Sequence, residues 1–138
     1  MIERYLLDTC ALIYLAHDEP VSIVAGNTLR DLPPFSSSVF VSAFSAWEIG
    51  ILVGKGRMNI TKRPVVWFDD VVNKMGARVA EVSTSILVAS SFLPEPIHSD
   101  PADRILIATA RENDLTIITR DRAILAYGAA GHVKTLAC

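Results

Sequence analysis

The feature that most limits the possible folds is a regular alternation of short apolar runs with segments of helical character. The runs YLLD (5–8), SVFVS (38–42) and LTIIT (115–119) are mostly apolar and predict buried strands. Each is followed by a stretch with helix start and stop signals. Strands that alternate with helices and lack a clean inside–outside pattern are typical of a parallel sheet with helices on both faces. The sequence therefore predicts an α/β fold.

The same signals divide the whole chain into elements. Pro64 and Gly76 bound one helix, and other helices are expected to end at Pro33 and Pro34, at Gly54 and Gly56, and near Pro94. The predicted strands are 5–8, 38–42, 78–83, 115–119 and 133–136, and the predicted helices are 9–17, about 20–32, 43–53, 64–75, 83–93, a helix after Pro101, and 122–128.

Composition limits the class of protein. The 138 residues fit a single domain, 1–138, and 51% of them are hydrophobic. With a mean hydropathy of +0.36, some apolar surface is expected to lie in a subunit or partner interface. The net charge of −2 excludes a broad basic surface for nucleic acid. Two cysteines without metal-ligand spacing, and no signal-peptide or membrane-span pattern, predict a cytoplasmic protein.

Two aspartates follow predicted strands. Asp8 comes after the first strand and Asp121 follows LTIIT, and each precedes a helix. Either residue alone is explained equally well as an N-cap, since aspartate is favoured there. Ligands of parallel sheets bind outside the carboxyl ends of the strands, so central strands would bring these two carboxylates together.

The segment HSDPADRILIATA (98–110) places two further acids at the start of a helix. Asp100 is a natural N-cap before Pro101. Asp103 shares a helical face with Ile107 and Ala110, so it is expected to point inward at the end of a buried stripe. Capping accounts for Asp100, which we assign at most a supporting role, and it accounts less well for Asp103.

Glu48 is the acid that a structural role explains least well. It lies within a predicted apolar stripe of Phe44, Trp47, Ile51 and Leu52. A buried, unpaired carboxylate costs several kcal/mol. Either a buried arginine or a metal ion at the floor of a pocket would compensate its charge.

Four carboxylates in one pocket would need a cation. At about 6 Å each pair repels by roughly 2–4 kcal/mol for an effective dielectric near 20. Oxygen ligands of this kind suit Mg²⁺ or Mn²⁺, whose natural chemistry in such a site is phosphoryl transfer with a metal-activated water. Asp8, Glu48, Asp103 and Asp121 are therefore the predicted metal-binding and catalytic residues.

Taken in order, these segments resemble the PIN-domain ribonucleases, in particular the VapC toxins of toxin–antitoxin pairs. YLLDTCALIYLA, VSAFSAWEIGILVGKGRM, HSDPADRILIATA and LTIITRDRAILAYG are similar to the four acidic segments of that family. The resemblance extends over nearly the whole chain. It implies a compact, PIN-like three-layer α/β/α sandwich with a central, mostly parallel sheet.

The resemblance also implies an activity and partners. It implies an Mg²⁺- or Mn²⁺-dependent endoribonuclease that leaves a 3′-hydroxyl and a 5′-phosphate, with the same four acids as the metal-binding quartet. Thr119 and Thr9 would be supporting hydroxyls, and Asp100 would act near the site. A homodimer and a small antitoxin that obstructs the acidic pocket are the implied partners.

Two other functions are compatible with parts of the pattern. A catalytically idle PIN-like module would bind RNA or protein, but such a module is expected to have lost at least one acid. A metal-dependent phosphatase with an aspartate nucleophile is disfavoured because DTCAL (8–12) lacks a second aspartate two residues after Asp8.

Overall fold

The computed structural model of the chain describes residues 3–33, 37–97 and 99–138. In chain order these residues form β1 (Tyr5–Leu7), α1 (Thr9–Ala16), α2 (Ile23–Arg30), β2 (Val39–Ser42), α3 (Ala43–Gly54), α4 (Pro64–Met75), β3 (Arg78–Ala80), α5 (Thr84–Ala89), α6 (Pro101–Asn113), β4 (Thr116–Thr119), α7 (Arg122–Ala129) and β5 (Lys134–Ala137).

The strands form one sheet in the order β3-β2-β1-β4-β5, and every neighbouring pair is parallel. At its centre, Leu7 of β1 is in register with Ile118 of β4. The first three strands extend the sheet in one direction and the last two in the other. The strand order thus reverses between β1 and β4, and in open parallel sheets this is where ligands bind at the carboxyl edge.

Alternating side chains of the two central strands build the two cores. Leu6 and Ile117 face α5, α6 and α7, in a cluster that includes Ile86, Leu106 and Ile124. On the opposite face, Leu7 and Ile118 pack against α1 to α4, in a cluster that includes Leu12, Ala25, Ile49 and Phe68. The period of two residues in a strand sends neighbours to opposite faces, which makes both faces apolar. The predicted three-layer α/β/α architecture with a parallel sheet is confirmed.

Element bounds differ most where the sequence carries side chains that compete with the backbone. The helix predicted at 83–93 ends at Ala89, and the Ser90 hydroxyl donates to the Leu87 carbonyl oxygen at 2.6 Å. The strand predicted at 78–83 ends at Ala80. The helix predicted at about 20–32 begins at Ile23, because Ser22 caps it by accepting from the Ala25 N–H. Pro34, expected to help end that helix, lies outside the described residues.

The predicted apolar stripe of α3 is wrong at Trp47, whose exposed fraction is 59%. The buried residues of this helix are Ser45 and Ile49. The inward face is therefore rotated relative to the prediction, and the Trp47 ring packs beside Phe44, with 4.9 Å between the ring centroids. None of the helices in the described parts of the chain is long and apolar enough to span a membrane.

Candidate active site

A pocket of about 270 Å³ opens at the carboxyl edge of the sheet, beside the ends of β1 and β4. All four carboxylates predicted from the sequence line it. They come from four separate parts of the chain and are Asp8, Glu48, Asp103 and Asp121. The fold thus brings together acids that are up to 113 positions apart in the sequence.

Asp8 lies deepest in this group and is 8% exposed. Its Oδ1 accepts from the Ala11 N–H at 2.7 Å, which caps α1, and its Oδ2 accepts from the Thr119 hydroxyl at 2.5 Å. Burial raises the pKa of the Asp8 carboxyl above its usual value. The two hydrogen bonds and the positive charge of Arg120 oppose this rise, and the negative charge of Asp121 adds to it. The fold therefore holds Asp8 in a position where burial disfavours its ionised form.

Glu48 projects from α3 toward the same pocket and is half-buried. Its Oε1 accepts from the Thr9 hydroxyl at 2.6 Å, and Thr9 Oγ1 lies 2.8 Å from the Ser45 hydroxyl. Burial raises the pKa of Glu48, the Thr9 bond lowers it, and the charges of Asp100 and Asp8 raise it again. Within the described residues no arginine or lysine forms a salt bridge with Glu48. Among the described residues, the alternative in which a buried arginine pairs with Glu48 is therefore wrong.

Asp100 and Asp103 divide the two roles predicted for the start of α6. The exposed Asp100 caps the helix by accepting from the Ala102 N–H at 2.9 Å. Asp103, in the first turn, is half-buried and lines the pocket beside Leu106. The capping explanation thus covers Asp100, while Asp103 reaches the acidic pocket. His98, at the start of this segment, lies outside the described residues.

Asp121 follows β4 and completes the group from the solvent side. Its Oδ1 accepts from the Ile124 N–H at 2.9 Å and so caps α7. Its own N–H donates to the Thr119 hydroxyl oxygen at 2.9 Å. Thr119 is fully buried and links the two aspartates. Its hydroxyl donates to the Asp8 carboxylate and accepts from the backbone N–H of Asp121.

Sequence reasoning missed several residues that line the pocket. Ser45 lies one helical turn before Glu48, and this i, i+3 spacing was the available signal. Ser42 caps α3, accepting from the Phe44 N–H at 3.1 Å. Tyr14 and Arg120 also reach the pocket, and no local pattern marks their meeting, because it depends on how α1 packs beside β4.

The donor set of the pocket fits a hard divalent cation. Carboxylate oxygens are the ligands that Mg²⁺ and Mn²⁺ prefer, and the pKa values of Asp8 and Glu48 are raised chiefly by burial, a cost that a nearby cation would offset. No three His, Cys, Asp or Glu side chains in the described parts of the chain lie close enough to hold one ion jointly. Mg²⁺ commonly keeps several waters and binds through one or two carboxylates, so direct and water-bridged contacts together suit this arrangement.

Comparison with known proteins agrees with this architecture. The chain is 24% identical over 123 residues to Ribonuclease VapC22 of Mycobacterium tuberculosis. The aligned region covers 88% of this chain and 90% of the relative. A chain in the structure of VapBC2 from Rickettsia felis bound to a promoter DNA fragment superposes with a TM-score of 0.68 at 12% identity, covering 96% of this chain and 97% of that one. A chain of a toxin–antitoxin complex from Klebsiella pneumoniae gives a TM-score of 0.58 at 20% identity, with coverage of 87% and 89%.

These structural likenesses concern the fold, since the identities are low. The family model that describes the PIN domain matches residues 5–129. That range begins at β1 and ends with α7, so it includes every carboxylate of the pocket. The chain belongs to the PIN-domain family.

Proposed function

We propose that this protein is a metal-dependent endoribonuclease and the toxin of a toxin–antitoxin pair. The observation that carries the proposal is the convergence of Asp8, Glu48, Asp103 and Asp121 on one pocket. In the described residues Asp8, Glu48 and Asp121 form no salt bridge with a lysine or arginine. Membership of the PIN family and the name of the ribonuclease relative support the same activity.

The reaction is hydrolysis of an RNA phosphodiester. Water oxygen bonds to phosphorus, the P–O3′ bond breaks, and the 3′ oxygen leaves with a proton, which gives a 3′-hydroxyl and a 5′-phosphate. Bound Mg²⁺ or Mn²⁺ would supply positive charge at the phosphate and lower the pKa of water. Asp8 and Glu48 would hold the cation, with Asp103 and Asp121 completing its surroundings.

Hydrogen-bond donors fix the carboxylates of Asp8 and Glu48. Thr119 and the Ala11 N–H hold both oxygens of Asp8, and Thr9 holds one oxygen of Glu48. These contacts oppose the burial-driven rise in pKa, so they favour the ionised carboxylates that a cation needs. Thr119 and Thr9 thus act as positioning residues, and Asp100 contributes negative charge near Glu48.

The partners proposed for this chain are an RNA substrate, a small antitoxin and a second copy of the chain. Large apolar side chains remain exposed on the described surface, with Ile23 and Phe92 each 81% exposed. Val24 lies beside the first, and Leu87 and Val88 lie on α5 near the second. Neighbouring exposed apolar side chains are typical of interfaces. A cytoplasmic location stays a prediction.

The alternative of an idle PIN-like module is less well supported. It would be favoured by a pocket that lacks one of the carboxylates or has one neutralised by a basic partner. The pocket contains all four acids, and Glu48 is held by a hydroxyl that can serve the ionised group.

Cleavage of total cellular RNA with Mg²⁺, Mn²⁺ or excess EDTA tests the proposal. Glu48→Gln should lower the rate by more than about 100-fold, since even residues that only support metal ligands typically cost 10- to 100-fold. Glu112→Gln, an exposed change on α6, is the matched control. Digestion of the products by a 5′-phosphate-dependent exonuclease checks the cleavage chemistry. Full activity in EDTA, or equal activity of the two variants, would contradict the proposal.

Metal binding has a second readout that does not depend on activity. A ligand present at 100 times its Kd stabilises the folded state by about 2.7 kcal/mol. Saturating Mn²⁺ should therefore raise the Tm of the wild-type protein by several degrees and that of Glu48→Gln by less. A flat response of the wild-type Tm would count against the metal site.

A further inference from the structure

The basic side chain of Arg120 lines the acidic pocket. Of the lysines and arginines that the structure describes, Arg120 alone lines it. Arg120 lies between Thr119 and Asp121, directly after β4, and is exposed to solvent. Its charge is therefore placed at the mouth of the pocket rather than in the core.

Three contacts fix the Arg120 guanidinium. Its Cζ lies 4.1 Å from the centroid of the Tyr14 ring, its Nε donates to the Cys138 carbonyl oxygen at 3.0 Å, and its Nη2 donates to the Pro20 carbonyl oxygen. In the described part of the chain Arg120 forms no salt bridge. The guanidinium is thus held in place at the mouth of the pocket, where its positive charge also acts on Asp8.

The arrangement leaves hydrogen-bond donors for a ligand. A guanidinium has five N–H groups in a planar fork that matches phosphate oxygens, and the two bonds described use two of them. We propose that Arg120 binds a phosphate group of the RNA backbone at the mouth of the pocket, and that Tyr14 positions its guanidinium. This inference rests on the proposed ribonuclease function and adds a substrate contact to it.

Electrostatics favours such a contact. The four carboxylates of the pocket carry four negative charges when ionised, and one divalent ion neutralises two of them. A phosphodiester would still meet net negative charge and be repelled. Arginine stays positively charged throughout the physiological pH range, so Arg120 supplies a permanent attraction beside the acids.

The decisive measurement is the salt dependence of RNA binding. The proteins carry Glu48→Gln, which is expected to block cleavage, and fluorescence anisotropy follows the binding of a short fluorescein-labelled single-stranded RNA of mixed sequence at constant Mg²⁺. Loss of one phosphate contact should reduce the slope of log K against log salt by about 0.7. We expect Arg120→Met to show this loss and to weaken binding about tenfold. Arg122→Met removes an exposed charge two residues away, outside the pocket, and should leave the slope unchanged.

A second set of variants separates binding from a structural role. Arg120→Lys keeps the charge, so the slope should persist while the Kd rises, because a lysine does not reproduce the fork. Tyr14→Leu removes the ring beneath the guanidinium and should weaken binding about two- to fivefold, whereas Tyr14→Phe keeps the ring and should not. Combined with Arg120→Met, Tyr14→Leu should have no further effect on RNA binding.

The outcomes distinguish this inference from the function on which it rests. Equal slopes for Arg120→Met and Arg122→Met, or a loss of binding that only follows a loss of Tm, would overturn the phosphate contact. No measurable RNA binding by the Glu48→Gln parent would overturn it as well. Undiminished cleavage by Glu48→Gln would instead contradict the proposed function, while the slopes would still decide whether Arg120 binds phosphate.

Discussion

Asp8 and Asp121 share a local setting but lie in different environments. Asp8 directly follows β1, Asp121 lies two residues after the end of β4, and each is the N-cap of the next helix. Their capping bonds are similar, with Asp8 accepting from Ala11 at 2.7 Å and Asp121 accepting from Ile124 at 2.9 Å. On the criterion of capping alone the two residues are equivalent.

The second carboxylate oxygen separates them. In Asp8 it accepts from the buried hydroxyl of Thr119, and the residue is 8% exposed with a pKa raised chiefly by burial. Asp121 is exposed, and its link to Thr119 runs through its backbone N–H. One cap is therefore built into the floor of the pocket and the other stands at its rim.

This difference shows how a structural role and a functional role can share one residue. An N-cap uses a single oxygen, so the environment of the other oxygen decides whether a capping acid can also serve as a ligand. For Asp8 that environment is a buried hydroxyl donor, an arrangement that helix capping does not require.

The largest effect on RNA cleavage is expected when Asp8 and Asp121 are substituted one at a time. Asp8→Asn should lower RNA cleavage by more than about 100-fold, because it removes a buried negative charge from the pocket. Asp121→Asn should lower it less, by about tenfold, since an exposed acid is more easily replaced by water-mediated contacts. Rates on total RNA under matched Mg²⁺ measure both. Equal losses would show that the floor and the rim of the pocket contribute alike.

Stability provides the control for that comparison. Asparagine is as good an N-cap as aspartate, so neither Asn variant should lose the capping bond. Metal-free Asp8→Asn should be as stable as the wild type or more so, because a costly buried charge disappears. Asp8→Ala should lose about 1 kcal/mol with the cap. Destabilisation of metal-free Asp8→Asn would favour a purely structural role for this acid.

Much of the fold could be predicted because its elements carry independent local signals. The apolar runs of β1 and β4, Pro64 at the start of α4, and Gly76 in the left-handed conformation at its end each act within a few residues. The ends of α5 and β3 could not be predicted as well. They depend on weak local competition and on pairing at the edge of the sheet.

Asp8, Asp103 and Asp121 could be predicted because strand ends or helix starts mark them, and Glu48 because it interrupts an apolar stretch of α3. Their surroundings could not, since Thr119 meets Asp8 across two strands and Thr9 meets Glu48 across two helices. The Trp47 error has the same origin, because the inward face of α3 is set by packing against α1 and α4 rather than by its own apolar residues. The functional roles of the four acids stay predictions.

Substitutions of Thr119 should have an intermediate effect, and they separate a loss of cleavage from a loss of stability. Thr119→Val removes the donor to Asp8, and it should lower cleavage 10- to 100-fold and shift the pH–rate profile upward, because the pKa of Asp8 rises further. Thr119→Ser keeps the hydroxyl but loses a buried methyl group, so it should cost about 1 kcal/mol of stability and retain cleavage. Cleavage that follows stability across both variants would assign Thr119 to the core alone.

The smallest predicted effect is a pH-dependent difference in stability between Asp8→Asn and the wild type. The pKa of Asp8 is raised in the folded state by burial, so the folded protein binds more protons than the unfolded chain as the pH rises above the ordinary aspartate value of about 3.9. Stability from this group is fully present below that value and is lost as the pH rises through the raised pKa. Denaturant unfolding in EDTA should therefore show Asp8→Asn gaining on the wild type across this window. Mn²⁺ should reduce the gain above it, because the cation stabilises the carboxylate that asparagine lacks. Parallel stability curves for the two proteins would mean that the buried carboxylate carries no cost, and the physical reason for a cation in this pocket would be lost.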